Sequence, residues 1–335
     1  MDFLLSNIGQ YLSQTILHSL LIALIVEAVM RSSHIQEPLL QIKFRSLSLL
    51  LPVLYLPVLY FSDPSRTSAD FRRQVALFDS NQWLSLRLWG GVFLWHLVAV
   101  MVVLTVAFFL VKELVPVIRY ILSSRHPLPV LEKGRFPELD ALLANMAKKR
   151  GIPEPEVLLS WELTPSVLTL GRRGLVLSNS AIEILDIDEL EAVIAHELAH
   201  FALEPLLIGL ICLTLRFFMF YNPVALLVYH RINNDTEKFC DDLAITFTGK
   251  RLALISGLLK ILRHTTAGTS PGRTAEQRWW HSLTVNTFEN RAHLALVKER
   301  AERILHGEKV SVITYQNQRI AITAGLLMAL LFFVV

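Results

Sequence analysis

Long apolar runs set the first limit on what this chain can become. A helix that crosses a bilayer needs about 20 largely apolar residues, because the hydrocarbon core is ~30 Å thick and a helix rises ~1.5 Å per residue. Residues 3–30 supply one such run, with His18 and Glu27 as its only acidic or basic side chains. Its length and its lack of a basic leader argue against a signal peptide. Residues 88–111 supply a cleaner run, bounded by Arg87 and Lys112. Residues 47–61 are shorter, repeat LPVLY in tandem and carry Pro52 and Pro57. Each proline removes a helical hydrogen bond, so a kinked or broken helix is expected there. A fourth run, 320–335, has 16 residues, so its helix is expected to begin nearer Thr314. A fifth, 205–229, contains Arg216 and Asn222-Pro223 and reads as a core or membrane-lying helix.

Composition agrees. Hydrophobic residues are 53%, charged residues 18% and the mean hydropathy is +0.46, which excludes a wholly soluble globule and a disordered chain. A net charge of +3 is too weak to imply a nucleic-acid partner, and two cysteines make no disulfide framework. The expected fold class is a mainly α membrane protein with about four transmembrane helices and an α+β domain inserted between the third and fourth. The domains are then a three-helix membrane region at 1–124, a soluble domain at 125–318 and a fourth transmembrane helix at 319–335. Only seven of the 32 lysines and arginines precede Lys112. The positive-inside rule therefore places the long insert in the cytoplasm of a cell (cytoplasmic) membrane, with the N-terminus outside.

Within the insert, residues 137–150 read as an amphipathic helix closed by Gly151. Two strand-like runs, 166–170 and 175–178, flank Gly171-Arg172-Arg173-Gly174 and suggest a hairpin. Asp186, three residues before Glu189, forms a capping box that opens a helix through 192–201. That helix carries HELAH: His196, Glu197 and His200. Residues at i and i+4 lie one turn apart on one face, so both imidazoles can hold a single ion. Glu197 is rotated about 100° away, where it can reach a water on the metal as general base.

A catalytic zinc takes three protein ligands and keeps one position open. Glu204 lies two turns beyond His196, about 12 Å along the axis, too far for the same ion. Glu237 and Asp241 in TEKFCD share a face at i, i+4, so Glu237 can be the third ligand while Asp241 orients a ligating histidine. Cys240 could ligate, but it would close the open position, so a buried packing role is expected for it.

HELAH, followed by Tyr221-Asn222-Pro223 and then by Glu237-x-x-Cys240-Asp241, resembles the membrane zinc metallopeptidases of the beta-lactam sensor-transducer type. The stretch LSNSAIEILDIDELEAVIAHELAH also resembles the heat-shock and CAAX-prenyl membrane proteases. This resemblance is strongest over residues 135–245 and implies a bacterial membrane endopeptidase of gluzincin fold. It implies one zinc ion on His196, His200 and Glu237, with Glu197 as catalytic base and Asp241 behind the ligands. It also implies a protein or peptide substrate paired as an extended strand with the edge near 166–170. Lys298-Glu299-Arg300 is similar to a basic element of the family, which makes Arg300 a candidate near the site. The sensor-transducers continue into an extracellular penicillin-binding domain where this chain stops, so no beta-lactam response is expected. Control is then expected from a separate sensor or regulatory protein that contacts the spans or residues 62–84.

Other polar residues have plainer readings. His18, Glu27 and His96 are expected to be structural, although ionisable groups in spans are often functional. His230, His264, His281 and His293 are each candidates for stabilising an oxyanion, and nothing in their spacing selects one. A receptor or scaffold with a purely structural metal would have no use for Glu197, and a transporter would not place most of its chain in one insert.

Overall fold

The computed structural model describes residues 7–67, 71, 80–115, 118, 131, 134–150, 154–160, 167–170, 174–200, 203–267, 287–306 and 316–334. In chain order the main helices are α1 (Asn7–Ser32), α2 (Pro38–Ser62), α3 (Leu94–Phe108), α4 (Pro137–Arg150), α5 (Asn179–Ile184) and α6 (Ile187–Ala199). They continue with α7 (Leu203–Phe218), α8 (Pro223–Thr248), α9 (Arg251–Ala267), α10 (Thr287–His306) and α11 (Gln316–Val334). Strands β1 (Glu156–Ser160), β2 (Val167–Leu170) and β3 (Gly174–Ser178) form one small sheet. The chain divides into two compact units, one of Met1–Ser124, Glu204–Thr236 and Ser311–Val335, the other of Arg125–Leu203 and Glu237–Val310.

The first unit holds the apolar helices. Two described segments, Tyr11–Ser32 and Leu94–Leu114, are long and apolar enough to cross a membrane. The second is only 11% buried, so an almost wholly apolar helix faces outward, as a lipid-facing span does. Two shorter apolar helices, Pro205–Phe218 and Gln318–Leu330, accompany them. Of the kink or break expected at 47–61, the break is corrected: α2 runs through both Pro52 and Pro57. Leu47, Leu51, Tyr55 and Leu59 recur every four residues and are all buried, in a core shared with Ile22 and Val26 of α1. Pro52 is buried beside that stripe and Pro57 is exposed, and packing of the stripe holds the helix where propensity would end it.

Several charged groups in this unit are paired. Glu27 accepts from Arg45 at 2.9 Å and lies 2.8 Å from Arg231, while Arg45 also pairs with buried Asp235. Arg216, fully buried, donates to Glu113 at 3.1 Å and sits over the Phe109 ring. Asn222 caps α8 by accepting the N–H groups of Val224 and Ala225, and Pro223 follows as the first helical residue. The ring of His18 meets Tyr55 edge-on, and that of His96 stacks on Trp95.

The second unit is an α+β body. β2 and β3 pair antiparallel from Val167↔Leu177 to Leu170↔Gly174, as the two apolar runs suggested. The structure adds β1, which runs parallel to β3 on its other side. Ser178 then caps α5 by accepting the Ala181 N–H at 3.1 Å. Asp186 accepts the Glu189 N–H at 2.8 Å and Glu189 accepts the Asp186 N–H at 2.9 Å, the reciprocal box that starts α6. Every residue of α6 from Glu189 to His196 is buried, against a core that includes Leu143, Leu159, Leu175, Leu177 and Leu254.

Helix α9 approaches α6 at Gly257. A Cβ built there would lie 2.9 Å from Cγ2 of Val193, a buried β-branched side chain with little rotamer freedom in a helix. Gly257→Leu should therefore destabilise the protein by about 1–3 kcal/mol through overpacking. Thermal unfolding of the purified chain measures this; a variant that melts at or above the wild-type temperature would contradict the close approach.

Candidate metal centre

The site is built by α6 and α8, with α10 behind them. The capping box fixes where α6 begins, and the 3.6-residue repeat then sets His196 and His200 one turn apart, with ring centroids 5.2 Å from each other. From α8, Glu237 reaches both rings: its Oε2 lies 3.4 Å from His196 Nε2 and its Oε1 lies 3.7 Å from His200 Nε2. One donor atom from each of the three residues falls within 4.8 Å of the others. Donors around a tetrahedral zinc with bonds of about 2.1 Å stand about 3.4 Å apart, so the set fits one ion with slight closure.

The outward nitrogens are also engaged. His196 Nδ1 lies 3.0 Å from Oδ1 of fully buried Asp241, at ion-pair distance but off the line of a full hydrogen bond. His200 Nδ1 lies 3.4 Å from Cys240 Sγ. Both rings thus direct Nε2 toward Glu237 and Nδ1 toward the next turn of α8.

Arg300 on α10 is the common countercharge. Its Nε and one terminal nitrogen donate to the two Asp241 oxygens at 2.8 and 2.7 Å, and its other terminal nitrogen donates to Glu237 at 3.0 Å. Three residues on, Arg303 donates to Asp242 and to the Lys238 carbonyl, while Glu299 accepts from Lys238. Arg300 is the candidate that the KER triplet offered; Arg303 and Asp242 carried no signal in the sequence. Their i, i+3 spacing from Arg300 and i, i+1 spacing from Asp241 matter only once the two helices are known to face each other.

Protonation follows these contacts. Burial alone would lower His196, but the Asp241 and Glu237 carboxylates outweigh it and hold the imidazole up at about 9. Burial would raise Asp241, yet hydrogen bonds from Arg300 and the close His196 ring pull it down to about 2. Glu237 is likewise held below the ordinary carboxylate range against burial, by His196 and Arg300. Glu197 behaves in the opposite way. Burial pushes its carboxyl up to about 7, with Glu237 adding to the rise while His196 and Arg300 oppose it. A carboxylate poised there can accept and return a proton near neutral pH.

Cys240 is fully buried, as a packing residue would be, but it also touches a ring of the site. The four downstream histidines remain unassigned. His230 lies in the first unit, edge-on to Phe108, and His264 is exposed on α9. His281, and the side chains of His293 and Glu204, lie outside the described residues, as do 171–173 of the expected hairpin turn.

Comparison with known proteins bears on this arrangement. Stretches of this chain are similar to protease HtpX homologs. That of Thermococcus kodakarensis is 26% identical over 197 residues, covering 48% of this chain and 67% of the relative. That of Pyrococcus furiosus is 28% identical over 169 residues, covering 39% and 58%. That of Methanocaldococcus jannaschii is 30% identical over 116 residues, covering 32% and 41%. No solved structure matches. The family model for BlaR1 peptidase M56 matches residues 65–274, more than half of the chain and all of the cluster on α6 and α8. The chain belongs to this BlaR1-type M56 peptidase family.

Proposed function

We propose that this chain is an integral membrane zinc endopeptidase of gluzincin type, with His196, His200 and Glu237 as metal ligands and Glu197 as catalytic base. The observation that carries the reading is the convergence of two imidazoles and one carboxylate at donor spacing, with an acid of raised proton affinity beside them. When bound, zinc supplies Lewis acidity for the scissile carbonyl and for the attacking water. The chain's residues do the rest. Glu197, as its carboxylate, takes a proton from the water as the water oxygen attacks and gives that proton to the departing amine nitrogen, so the carboxylate is regenerated in each cycle. Asp241 holds the His196 ring, and Arg300 holds Asp241 and Glu237 in place between turnovers.

Substrate enters as an extended segment. Among the described residues β2 pairs only with β3, and its free side can take a main-chain strand with little regard to side chains. Such pairing is weak by itself, so a membrane-proximal or recruited regulatory protein, held at high local concentration, is the substrate class that suits it. The spans number four, at α1, α2, α3 and α11, and the domain that carries the site lies between the third and fourth on the cytoplasmic side. The charge asymmetry supports that orientation, and a separate regulatory protein acting on the spans is the expected control.

Two measurements test this. Glu197→Gln should keep stoichiometric zinc and lose several orders of magnitude of turnover, whereas His196→Ala and Glu237→Ala should lose zinc and activity together. If Glu237→Ala binds zinc like the wild type, the third ligand is wrong. If the wild type holds zinc but cleaves nothing, the structural-metal alternative gains. For orientation, a reporter active only outside the membrane should be on when fused after Asp70 and off after Thr269. The reverse pattern would put the site, and its substrate, on the other side.

A further inference from the structure

Helix α8 places consecutive residues against the two zinc-site rings, and the residues differ in kind. Asp241 faces Nδ1 of His196 at 3.0 Å, and Cys240 faces Nδ1 of His200 at 3.4 Å. A carboxylate behind a ligating histidine is a familiar arrangement, because the ring must carry its proton on the nitrogen that does not bind metal. Among the described residues, no carboxylate is recorded against Nδ1 of His200. The described atom within reach of it is the Cys240 sulfur, in a side chain with no solvent exposure. The opposite nitrogen of His200, Nε2, faces Glu237 Oε1 at 3.7 Å. For Nε2 to bind metal, the proton must sit on Nδ1, and an Nδ1–H directed at Cys240 needs an acceptor.

We infer that Cys240 is a positioning residue for the metal site: its sulfur accepts the His200 Nδ1–H and so fixes the tautomer that leaves Nε2 free for zinc. The inference rests on the zinc reading of His196, His200 and Glu237. It assigns Cys240 neither to the metal nor to mere packing. Sulfur is a weak acceptor and polarises the ring less than a carboxylate does. The two histidines are therefore unequal ligands, His196 firmly held and His200 lightly held.

The test uses the full chain in detergent or lipid nanodiscs, with zinc affinity from competition against a chelator and cobalt substitution for the visible spectrum. Cys240→Ala removes the acceptor and should weaken zinc binding about tenfold or more, the range seen when partners behind metal ligands are lost. It should also change the cobalt spectrum. Cys240→Ser restores an acceptor and should return both to near wild type. Equal affinity and an unchanged spectrum in Cys240→Ala would reduce Cys240 to packing and overturn the inference. A thiolate-to-cobalt charge-transfer band in the wild type would place sulfur on the metal and overturn it too. Should the alanine variant fail to fold, nitrogen NMR of labelled histidines in the wild type decides: a proton on His200 Nδ1 supports the inference, and one on Nε2 contradicts it. A wild type that takes up no metal would instead sink the zinc reading, a result visible before any variant is made.

Discussion

Two carboxylates one turn apart, Glu237 and Asp241, face the same small volume as two imidazoles, and Arg300 is what allows them to stay charged there. Its guanidinium spans both acids in a planar fork. A buried carboxylate left without its partner costs about 3–5 kcal/mol, so this one residue underwrites the geometry of the centre. The pull of Arg300 also separates the acids by role. Against burial, Asp241 is kept ionised chiefly by Arg300 and Glu237 by His196 and then Arg300, while burial pushes Glu197, which Arg300 opposes only from a distance, up to about 7. Burial of Glu197 on α6, and the His196 and Arg300 that face the two acids on α8, thus draw different chemistry from similar side chains.

The architecture serves that arrangement. The reciprocal Asp186–Glu189 box sets the phase of α6, and Gly257 lets α9 come close behind it. Helix α8 supplies residues to both compact units: Asp235 pairs with Arg45 in one, and Glu237 and Asp241 face the histidines in the other. Charged residues near apolar helices are costly alone, and the pairing of Glu27, Arg45, Arg231 and Asp235 shows how the first unit meets that cost.

What could be read from the sequence was local. The capping box, the i, i+4 histidines and the hairpin strands each rest on a spacing of a few residues, where covalent geometry alone decides which side chains share a face. What could not be read depended on contacts between distant segments. Strand β1 pairs parallel with β3, and its short run, Glu156–Ser160, carries no mark of that partner. Arg300 meets Asp241 across 59 residues of chain, so its role was visible only as a resemblance of three letters. Helix α2 departs from the local rule: Pro52 and Pro57 predict a kink or a break, and an apolar stripe buried against α1 carries the helix through both. Cys240 was read as buried, but which ring it touches depends on how α8 lies against α6.

The central claim is that one zinc is held by two imidazoles and one carboxylate. X-ray absorption at the zinc edge of the purified full-length chain tests it directly. The account predicts one zinc per chain with only nitrogen and oxygen neighbours at about 2.0–2.2 Å, including the multiple-scattering pattern of two imidazoles. A sulfur neighbour at about 2.3 Å, or a single imidazole, would contradict it.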